Sequence, residues 1–374
     1  MADFIPVSEP WLAGNEESYV LDCLRTGWIS SEGHYVKDFE AAWASHCGMA
    51  HGIAVTSGTT ALHIAMKCLP LEPGDEVILP SFTIISCASA IIEAGAKPVL
   101  VDCEPDTWTM KVGDIEGKVT NRTKAIMPVH IYGHPVDMDA VREIADRHSL
   151  YVVEDAAEVH GARYKGRVCG GMSDISAFSF YANKIITTGE GGMILTSDAA
   201  MAERARSLRN LCFRADRRFL HTEIGQACRL TNIQAAVGLA QVERIAAFVE
   251  KKRAMARYYN RRLADLQCLQ LPVEKDWAEN VYWMYAVVLA DDFPLEAEEV
   301  SRRLRELDIE TRPFFLGLHE QPVLHDMGLF IGEAYPVTER IARRGFYLPS
   351  GLAITEAQQD RVCTALERVL RAVN

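Results

Sequence analysis

The sequence predicts an α/β protein whose larger part holds a mixed, mostly parallel sheet with helices on both faces. Five short apolar runs lie between residues 51 and 155, and segments of helical composition separate them. Buried strands that alternate with helices form parallel sheets covered on both sides. Beyond about residue 250 the pattern changes to a strand with helical segments after it, which predicts a smaller α+β domain.

The predicted strands of the larger part are short and rich in aliphatic residues. They are His51–Val55, Glu76–Pro80, Pro98–Asp102, Ala125–Val129 and Tyr151–Asp155. The first is followed by polar residues and then by a helical pattern from Ala61, so we interpret this stretch as a strand, a turn and a helix start. A further alternating segment, Ser176 to Tyr181, precedes a glycine-rich turn.

A helical stretch from about Asn232 to Leu266 carries charges at helical spacing and few helix breakers. We interpret it as the connection between two domains and place the boundary near residue 250, which gives domains of residues 1–250 and 251–374. In the second domain the pattern predicts a strand at Tyr282–Leu289, an amphipathic helix at Glu296–Leu307 and a closing helix at Glu356–Val373.

Composition and charge narrow the classes of function. The formal net charge of −12 disfavours a general surface for nucleic acid or anionic membranes. No apolar run approaches the roughly 18 residues of a membrane helix and the N-terminus does not resemble a secretion signal, so we expect a cytoplasmic protein. The ten cysteines are widely spaced and expected to be reduced and buried. The histidines lack zinc-site spacing, so no metal is expected.

Lys184 is the strongest candidate for a catalytic residue. It lies between the alternating segment and the turn Thr188 to Gly192. Burial of a lysine in such a place lowers its pKa, and a neutral amine forms a Schiff base with a carbonyl such as the aldehyde of pyridoxal 5'-phosphate (PLP). Taken alone, the segment also fits a solvated lysine beside an ordinary turn.

Ser57, Gly58 and Thr59 are candidates for holding a phosphate. They follow a strand and open a helix, so backbone N–H groups, hydroxyls and the helix dipole converge there. Ser179, in the alternating segment before Lys184, is a candidate for one more hydroxyl. The alternatives are a simple helix cap for the first group and an ordinary strand serine for Ser179.

Asp155 ends a predicted strand, and open α/β sheets bind ligands at the carboxyl ends of their strands. A carboxylate there pairs with the protonated pyridine nitrogen of PLP and keeps the ring able to accept electrons. The alternative is a helix cap or a surface ion pair. Glu158 follows at a distance that suits the 3-hydroxyl of the cofactor, whereas His160 is interpreted as a packed residue behind the site. Together with Lys184, these groups occur in the order that a fold-type-I PLP enzyme requires.

The chain resembles the sugar-nucleotide aminotransferases of the DegT/DnrJ/EryC1/StrS group over almost its whole length. The segment around Lys184 is highly specific for that family. The motifs that carry the resemblance are Trp28 to Gly33, Thr123 to Pro135, Glu154 to Glu158, Asn183 to Gly192, Arg229 to Ala236 and Glu310 to Pro313.

The resemblance implies a role for each candidate residue. Lys184 would bind the aldehyde of PLP, Asp155 the pyridine nitrogen and Glu158 the ring hydroxyl, while the serine and threonine group would hold the phosphate. Family members are dimers with shared active sites, so at least a homodimer is implied. The residues that would help to enclose the nucleotide sugar are Trp28, Ser30, Ser31, Arg229, Arg312 and His319; for the last three, an interface ion pair is an equal alternative.

Two positions depart from the family pattern. Family members commonly have an aromatic residue where this chain has Ile84, which would cover the cofactor ring with an aliphatic side chain instead. They also often have an asparagine, which reaches the phosphate of a neighbouring subunit, where this chain has Ala227. That contact must be missing or replaced, and the loss of a hydrogen bond to a charged group costs about 1.5–3 kcal/mol.

The resemblance implies a PLP-dependent transfer of an amino group from L-glutamate to a nucleotide-linked 4-keto-6-deoxyhexose, with GDP as the favoured nucleotide, for surface polysaccharide or O-antigen synthesis. A UDP- or dTDP-linked substrate is the nearest alternative. A sugar dehydratase is a second, although that branch has histidine where this chain has Lys184. A third is a catalytically silent PLP-binding regulatory protein, which Ile84 and Ala227 alone suggest.

Overall fold

The structure, a computed structural model, describes residues 4–214 and 216–372. Its helices are α1 Glu16–Thr26, α2 His34–Cys47, α3 Gly58–Cys68, α4 Ile85–Glu93, α5 Met138–His148, α6 Ala199–Leu208, α7 Asn232–Val242, α8 Ile245–Leu263, α9 Ala297–Arg305, α10 Pro322–Asp326, α11 Pro336–Arg344 and α12 Glu356–Arg371. Its strands are β1 His51–Val55, β2 Glu76–Pro80, β3 Lys97–Val101, β4 Thr123–Ile126, β5 Tyr151–Asp155, β6 Arg163–Tyr164, β7 Arg167–Val168, β8 Ile175–Ser179, β9 Gly192–Thr196, β10 Leu269–Gln270, β11 Ala278–Glu279, β12 Tyr285–Leu289, β13 Arg312–Pro313 and β14 Gly345–Leu348.

The larger part contains a seven-stranded sheet in the order β1-β9-β8-β5-β4-β2-β3. The neighbours from β8 to β3 pair in parallel, whereas β9 is antiparallel to both β8 and β1. The segment between Ser179 and Gly192 contains no helix, so the chain returns beside β8 without a parallel crossover. The predicted mixed, mostly parallel sheet is confirmed.

Helices cover both faces of this sheet. Along β2, Val77 and Leu79 belong to one core and Ile78 belongs to the other, because successive strand residues point to opposite faces. The first core extends into an aromatic group around Trp43, which meets Phe178 edge to face with ring centres 5.0 Å apart. Both faces are therefore closed, and the strand ends remain as the place for a site.

A second, four-stranded sheet in the order β10-β12-β14-β13 packs with α8, α9 and α12 around a core of its own. Residue 250 lies inside α8, and the domain division proposed from the sequence stays a prediction. The helical stretch expected from Asn232 to Leu266 is two helices, with Glu243 and Arg244 between them.

Element ends differ from the predicted ones by a few residues. The strand expected from Tyr282 begins at Tyr285, because Tyr282 has a φ of 47° and cannot extend a strand. The closing helix runs to Arg371, and its predicted end at Val373 lies outside the described residues. All ten cysteines are free thiols, and all but Cys268 are buried. Every helix in residues 4–214 and 216–372 is too short or too polar to cross a bilayer.

Candidate functional site

A cavity of about 330 Å³ lies at the carboxyl ends of the central strands. Asp155 ends β5, Ser179 ends β8, and Ser57 precedes α3, so the topology of the sheet places these residues around one space. The predicted residues that line it are Ser57, Gly58, Thr59, Ile84, Asp155, Glu158, Ser179 and Lys184. The structure therefore brings together every residue assigned to a cofactor from the sequence.

The N-terminus of α3 forms one wall of the cavity. The hydroxyl of Ser57 accepts a hydrogen bond of 3.1 Å from the N–H of Thr60 and caps the helix. The first N–H groups of a helix have no partner within it and attract anions. Gly58 packs so closely on β8 that a Cβ there would lie 2.6 Å from the Cβ of Ser179. Only glycine allows this approach, which joins the helix end and Ser179 in one cradle.

Lys184 lines the cavity and is largely buried. Its Nζ is 3.7 Å from Oε1 of Glu158, and the two side chains are 10% and 9% exposed. The same Nζ lies 3.4 Å from the centre of the Trp283 ring. Burial lowers the pKa of Lys184, and the charges of Glu158 and Asp155 oppose that shift. A lysine with a lowered pKa has a larger neutral fraction, which is the form that attacks a carbonyl.

The pKa of Glu158 is shifted as well, in the direction opposite to that of Lys184. The pKa of Glu158 is raised to about 7, because burial outweighs the charge of Lys184 and the hydrogen bond from the backbone N–H of Tyr132, which both lower it. That N–H lies 2.8 Å from Oε2 of Glu158. A carboxyl group that titrates near neutrality beside a buried amine can hold or release a proton in this cavity.

Asp155 is 3% exposed and held in place by two donors. Its Oδ1 accepts from the N–H of Ala157 at 3.0 Å, and its Oδ2 accepts from the thiol of Cys87 at 3.1 Å. Ile84 comes just before α4 on the cavity wall and is 46% exposed. The strand end at Asp155 and the loop before α4 therefore present a fixed carboxylate and an exposed aliphatic side chain to the same space.

The six residues assigned to substrate from the resemblance do not line this cavity. Ser31 and Arg229 line a second cavity of about 430 Å³, together with Lys37 and Arg209. Arg229 donates to Oδ1 of Asn210 at 2.6 Å. The predicted contacts of Ser31 and Arg229 with substrate stay predictions.

The other four residues assigned to substrate also lie outside the cavity. Trp28 and Ser30 are exposed in the segment after α1. Arg312 pairs with Glu310 at 2.8 Å and is half exposed. His319 is buried, with Nδ1 2.7 Å from Oγ of Ser81 and Nε2 3.2 Å from Oε1 of Glu339. Both ring nitrogens of His319 thus have partners within the chain, and its contact with substrate also stays a prediction.

Trp283, Phe315 and Tyr347 also line the cavity. Phe315 lies in the region from Arg312 to His319 that the resemblance assigns to the substrate, whereas Trp283 and Tyr347 were not singled out from the sequence. They come from the smaller sheet and the segments beside it, where each residue follows an ordinary apolar pattern. Cys87 was interpreted only as a buried thiol, although it donates to Asp155. No local signal in the sequence separates these residues from core residues. The role of the three aromatic residues depends on how the second sheet packs against the first, and the role of Cys87 depends on how α4 lies beside the end of β5.

A buried group behind the site, His130, Glu154 and Cys169, has ligand types that suit a metal. However, Nδ1 of His130 accepts from the N–H of Val136 at 2.9 Å, so Nε2 carries the proton and donates to Glu154 at 2.8 Å. Hydrogen bonds already use both ring nitrogens of His130 and both carboxylate oxygens of Glu154. His160 packs beside Trp43, and burial lowers its pKa to about 3, which agrees with a packed residue.

Comparison with known proteins places this geometry in a family. The model of the DegT/DnrJ/EryC1/StrS aminotransferase family matches residues 11–367. A GDP-perosamine synthase of Caulobacter vibrioides is 43% identical over 367 residues, which cover 98% of each chain. A GDP-perosamine synthase of Escherichia coli O157:H7 is 40% identical over 363 residues, which cover 97% of this chain and 98% of that one.

Solved structures agree with these relatives. The crystal structure of S. venezuelae DesV in complex with a ketimine intermediate has a TM-score of 0.88 and 35% sequence identity, and the match covers 96% of this chain and 95% of that one. The predicted fold class, that of PLP-dependent sugar aminotransferases, is thereby confirmed. The chain belongs to the DegT/DnrJ/EryC1/StrS aminotransferase family.

Proposed function

We propose that the protein transfers the amino group of L-glutamate to C4 of a nucleotide-linked 4-keto-6-deoxyhexose, with PLP as cofactor and GDP-4-keto-6-deoxymannose as the sugar substrate. The observation that carries the proposal is the buried Lys184, whose amine shares one cavity with Glu158, Asp155 and the N-terminus of α3. Those are the groups that a PLP-dependent transaminase needs at its cofactor.

The residues present fit PLP in three separate ways. The N-terminus of α3, with Ser57, Thr59 and Ser179, offers N–H and hydroxyl donors for a phosphate. Asp155 offers a buried carboxylate for the pyridine nitrogen, and Lys184 offers a buried amine for the aldehyde. Gly58 leaves open the close approach that a phosphate cradle requires. The phosphate, the ring nitrogen and the aldehyde of one small molecule would thus each find a partner in this cavity.

When bound, PLP supplies an electron sink for the substrate carbanion and carries the amino group between the two substrates. The chain supplies the rest. Asp155 would hold the pyridine nitrogen in its protonated form, and the α3 cradle would hold the phosphate. Ile84 would cover the ring, and Glu158 would contact the ring hydroxyl. The cavity walls of Trp283, Phe315 and Tyr347 limit the access of water to the reacting atoms.

Lys184 moves the proton in both halves of the reaction. With PLP bound, the neutral Nζ of Lys184 would take the proton from the α-carbon of glutamate and hold it as the ammonium until the amino group has been transferred. The reverse transfer at C4 of the keto sugar yields the amino sugar. Glu158, 3.7 Å away, stabilises the protonated amine between these steps. Ping-pong kinetics follow, since 2-oxoglutarate leaves before the sugar binds.

The relatives support GDP as the nucleotide. The two curated relatives described above are named GDP-perosamine synthase and align over nearly the whole chain. We further propose a homodimer in which Trp28, Ser30, Ser31 and Arg229 of one subunit help to enclose the nucleotide sugar at the other. These residues lie outside the cavity within one chain, as residues that act across an interface would.

A turnover panel tests this function. Purified protein loaded with PLP is given L-glutamate and, separately, GDP-, UDP- and dTDP-linked 4-keto-6-deoxy sugars, and the product masses are measured. We expect the 4-amino sugar from the GDP substrate and no turnover by Lys184→Ala. Lys97→Ala, a change at an exposed lysine of β3, is the matched control. A deoxygenated product with ammonia release, or no turnover of any substrate, contradicts the proposal.

A further inference from the structure

Lys252, on α8, is a fully buried lysine outside the cofactor cavity. It is 2% exposed, and its Nζ donates to two backbone carbonyl oxygens, that of Trp283 at 2.9 Å and that of Ser350. Burial lowers its pKa to about 7. Burial of a lysine amine costs free energy unless the amine is hydrogen-bonded, so its position in the fold depends on these two carbonyl groups.

The two carbonyls belong to neighbouring strands of the smaller sheet. Trp283 lies two residues before β12, Ser350 lies two residues after β14, and these strands pair through Tyr285 and Leu348. The hydroxyl of Tyr259, also on α8, donates to the carbonyl of Pro349 at 2.8 Å. Two side chains of α8, those of Lys252 and Tyr259, thus donate hydrogen bonds to the backbone at the end of this strand pair. The hydrogen bond to Trp283 comes from Lys252.

Trp283 in turn contacts the residue on which the proposed chemistry depends. Its Nε1–H donates to the carbonyl of Asn183 at 2.8 Å, and its ring lies 3.4 Å from Nζ of Lys184. The face of an indole ring attracts a cation, so the ring stabilises the charged form of the amine. A continuous path of contacts runs from Lys252 through Trp283 to Lys184.

We propose that Lys252 is a positioning residue that holds the Trp283 ring against Lys184. The inference rests on the proposed function, in which Lys184 binds PLP. Without the hydrogen bond from Lys252, the carbonyl of Trp283 loses its contact with α8, while the ring keeps its hydrogen bond to Asn183 and its packing on Tyr132. The ring then spends less time over the amine, and the charged form of Lys184 loses part of its stabilisation. The other titratable groups that face Lys184, which are Glu158, Asp155 and His160, are unchanged.

The test follows the rate at which the protein without cofactor takes up PLP, measured from the visible absorbance at a series of pH values. The neutral amine reacts, so the midpoint of the rate profile reports on Lys184. Trp283→Leu and Lys252→Met, which keep the space apolar, are each expected to lower the midpoint, the former by about half a unit or more. Lys251→Met, a change at the neighbouring lysine that contacts Trp11, should leave the midpoint at the wild-type value.

A double variant separates positioning from a general structural role. If Lys252 acts through Trp283, Lys252→Met combined with Trp283→Leu has the midpoint of Trp283→Leu alone. A wild-type midpoint in Lys252→Met, or shifts that add in the double variant, would overturn the inference. If Lys252→Met does not fold, Lys252→Gln replaces it: glutamine is one atom too short to reach Trp283, so a wild-type midpoint there contradicts the inference as well. Failure of the wild-type protein to take up PLP overturns the proposed function, and the inference with it.

Discussion

The amine of Lys184 and the carboxylate of Glu158 lie 3.7 Å apart in a cavity where both side chains are almost fully buried. In such surroundings an opposite charge stabilises a cation more than it does in water. Glu158 therefore keeps the pKa of Lys184 from falling as far as burial alone would lower it. The pair sets how much neutral amine is available near neutral pH.

Glu158→Gln is expected to lower the pH midpoint of PLP uptake. The change removes the negative charge that favours the ammonium form, so the pKa of Lys184 falls and uptake at neutral pH becomes faster. The glutamine oxygen can still accept from the N–H of Tyr132, so the local fold is retained. Glu203→Gln, a change at an exposed residue of α6, is the control. An unchanged or higher midpoint would show that Glu158 does not act on Lys184.

Asp155→Asn is expected to lower kcat for the reaction with glutamate by roughly 10- to 150-fold, the cost of a hydrogen bond to a charged group. An amide oxygen still accepts from the N–H of Ala157, whereas the amide nitrogen cannot accept from the thiol of Cys87, so the free energy of unfolding is measured beside kcat. The exposed Asp146→Asn on α5 serves as the control for stability. Wild-type kcat in Asp155→Asn would remove Asp155 from the proposed cofactor site.

Ser57→Ala and Ser179→Ala should separate capping from phosphate binding. Both remove a hydroxyl from the cradle, so each should raise the Kd for PLP by roughly 10- to 150-fold. Only Ser57 caps α3, so Ser57→Ala should also lower the free energy of unfolding by about 1 kcal/mol. Denaturant titration and PLP titration measure the two effects. Wild-type PLP affinity in both variants would place the phosphate elsewhere.

Ile84→Phe should tighten PLP binding by about 2- to 12-fold, because a stacked aromatic pair contributes about 0.5–1.5 kcal/mol beyond its buried area. Ile84 lines the cavity, whereas its exposed neighbour Ile85 does not, so Ile85→Phe is a matched control. Equal Kd values in the two variants would mean that residue 84 does not cover the ring.

The sequence predicts the cofactor side of the site well because that side is built from strand ends and a helix start. Asp155 ends a run of apolar residues, and Ser57 stands where strand pattern changes to helix pattern, so both positions follow from local periodicity. The glycine-rich turn before β9 is also visible in the sequence, whereas the antiparallel strand β9 itself was not predicted. The structure then brings these residues to one edge of the sheet, as the topology requires.

Trp283 and Lys252 illustrate what local patterns do not reveal. Trp283 lies 99 residues after Lys184 and reaches it only because the smaller sheet packs against the larger one. Lys252 looks like one charge among many on a helix, yet it is buried and bonded to Trp283. Such contacts join distant segments, and a single sequence carries no periodic signal for them. The same holds for Trp28 and Arg229, whose predicted role depends on a second subunit.

The most direct measurement of the central proposal is borohydride reduction of the PLP-loaded protein, followed by mass mapping of its peptides. We predict a pyridoxyl group on Lys184 and on no other lysine. Incubation with L-glutamate alone before reduction should remove that label, because the amino group of glutamate moves onto the cofactor and frees the lysine. A stoichiometric label on another lysine, or a Lys184 label that glutamate does not remove, would contradict the proposal.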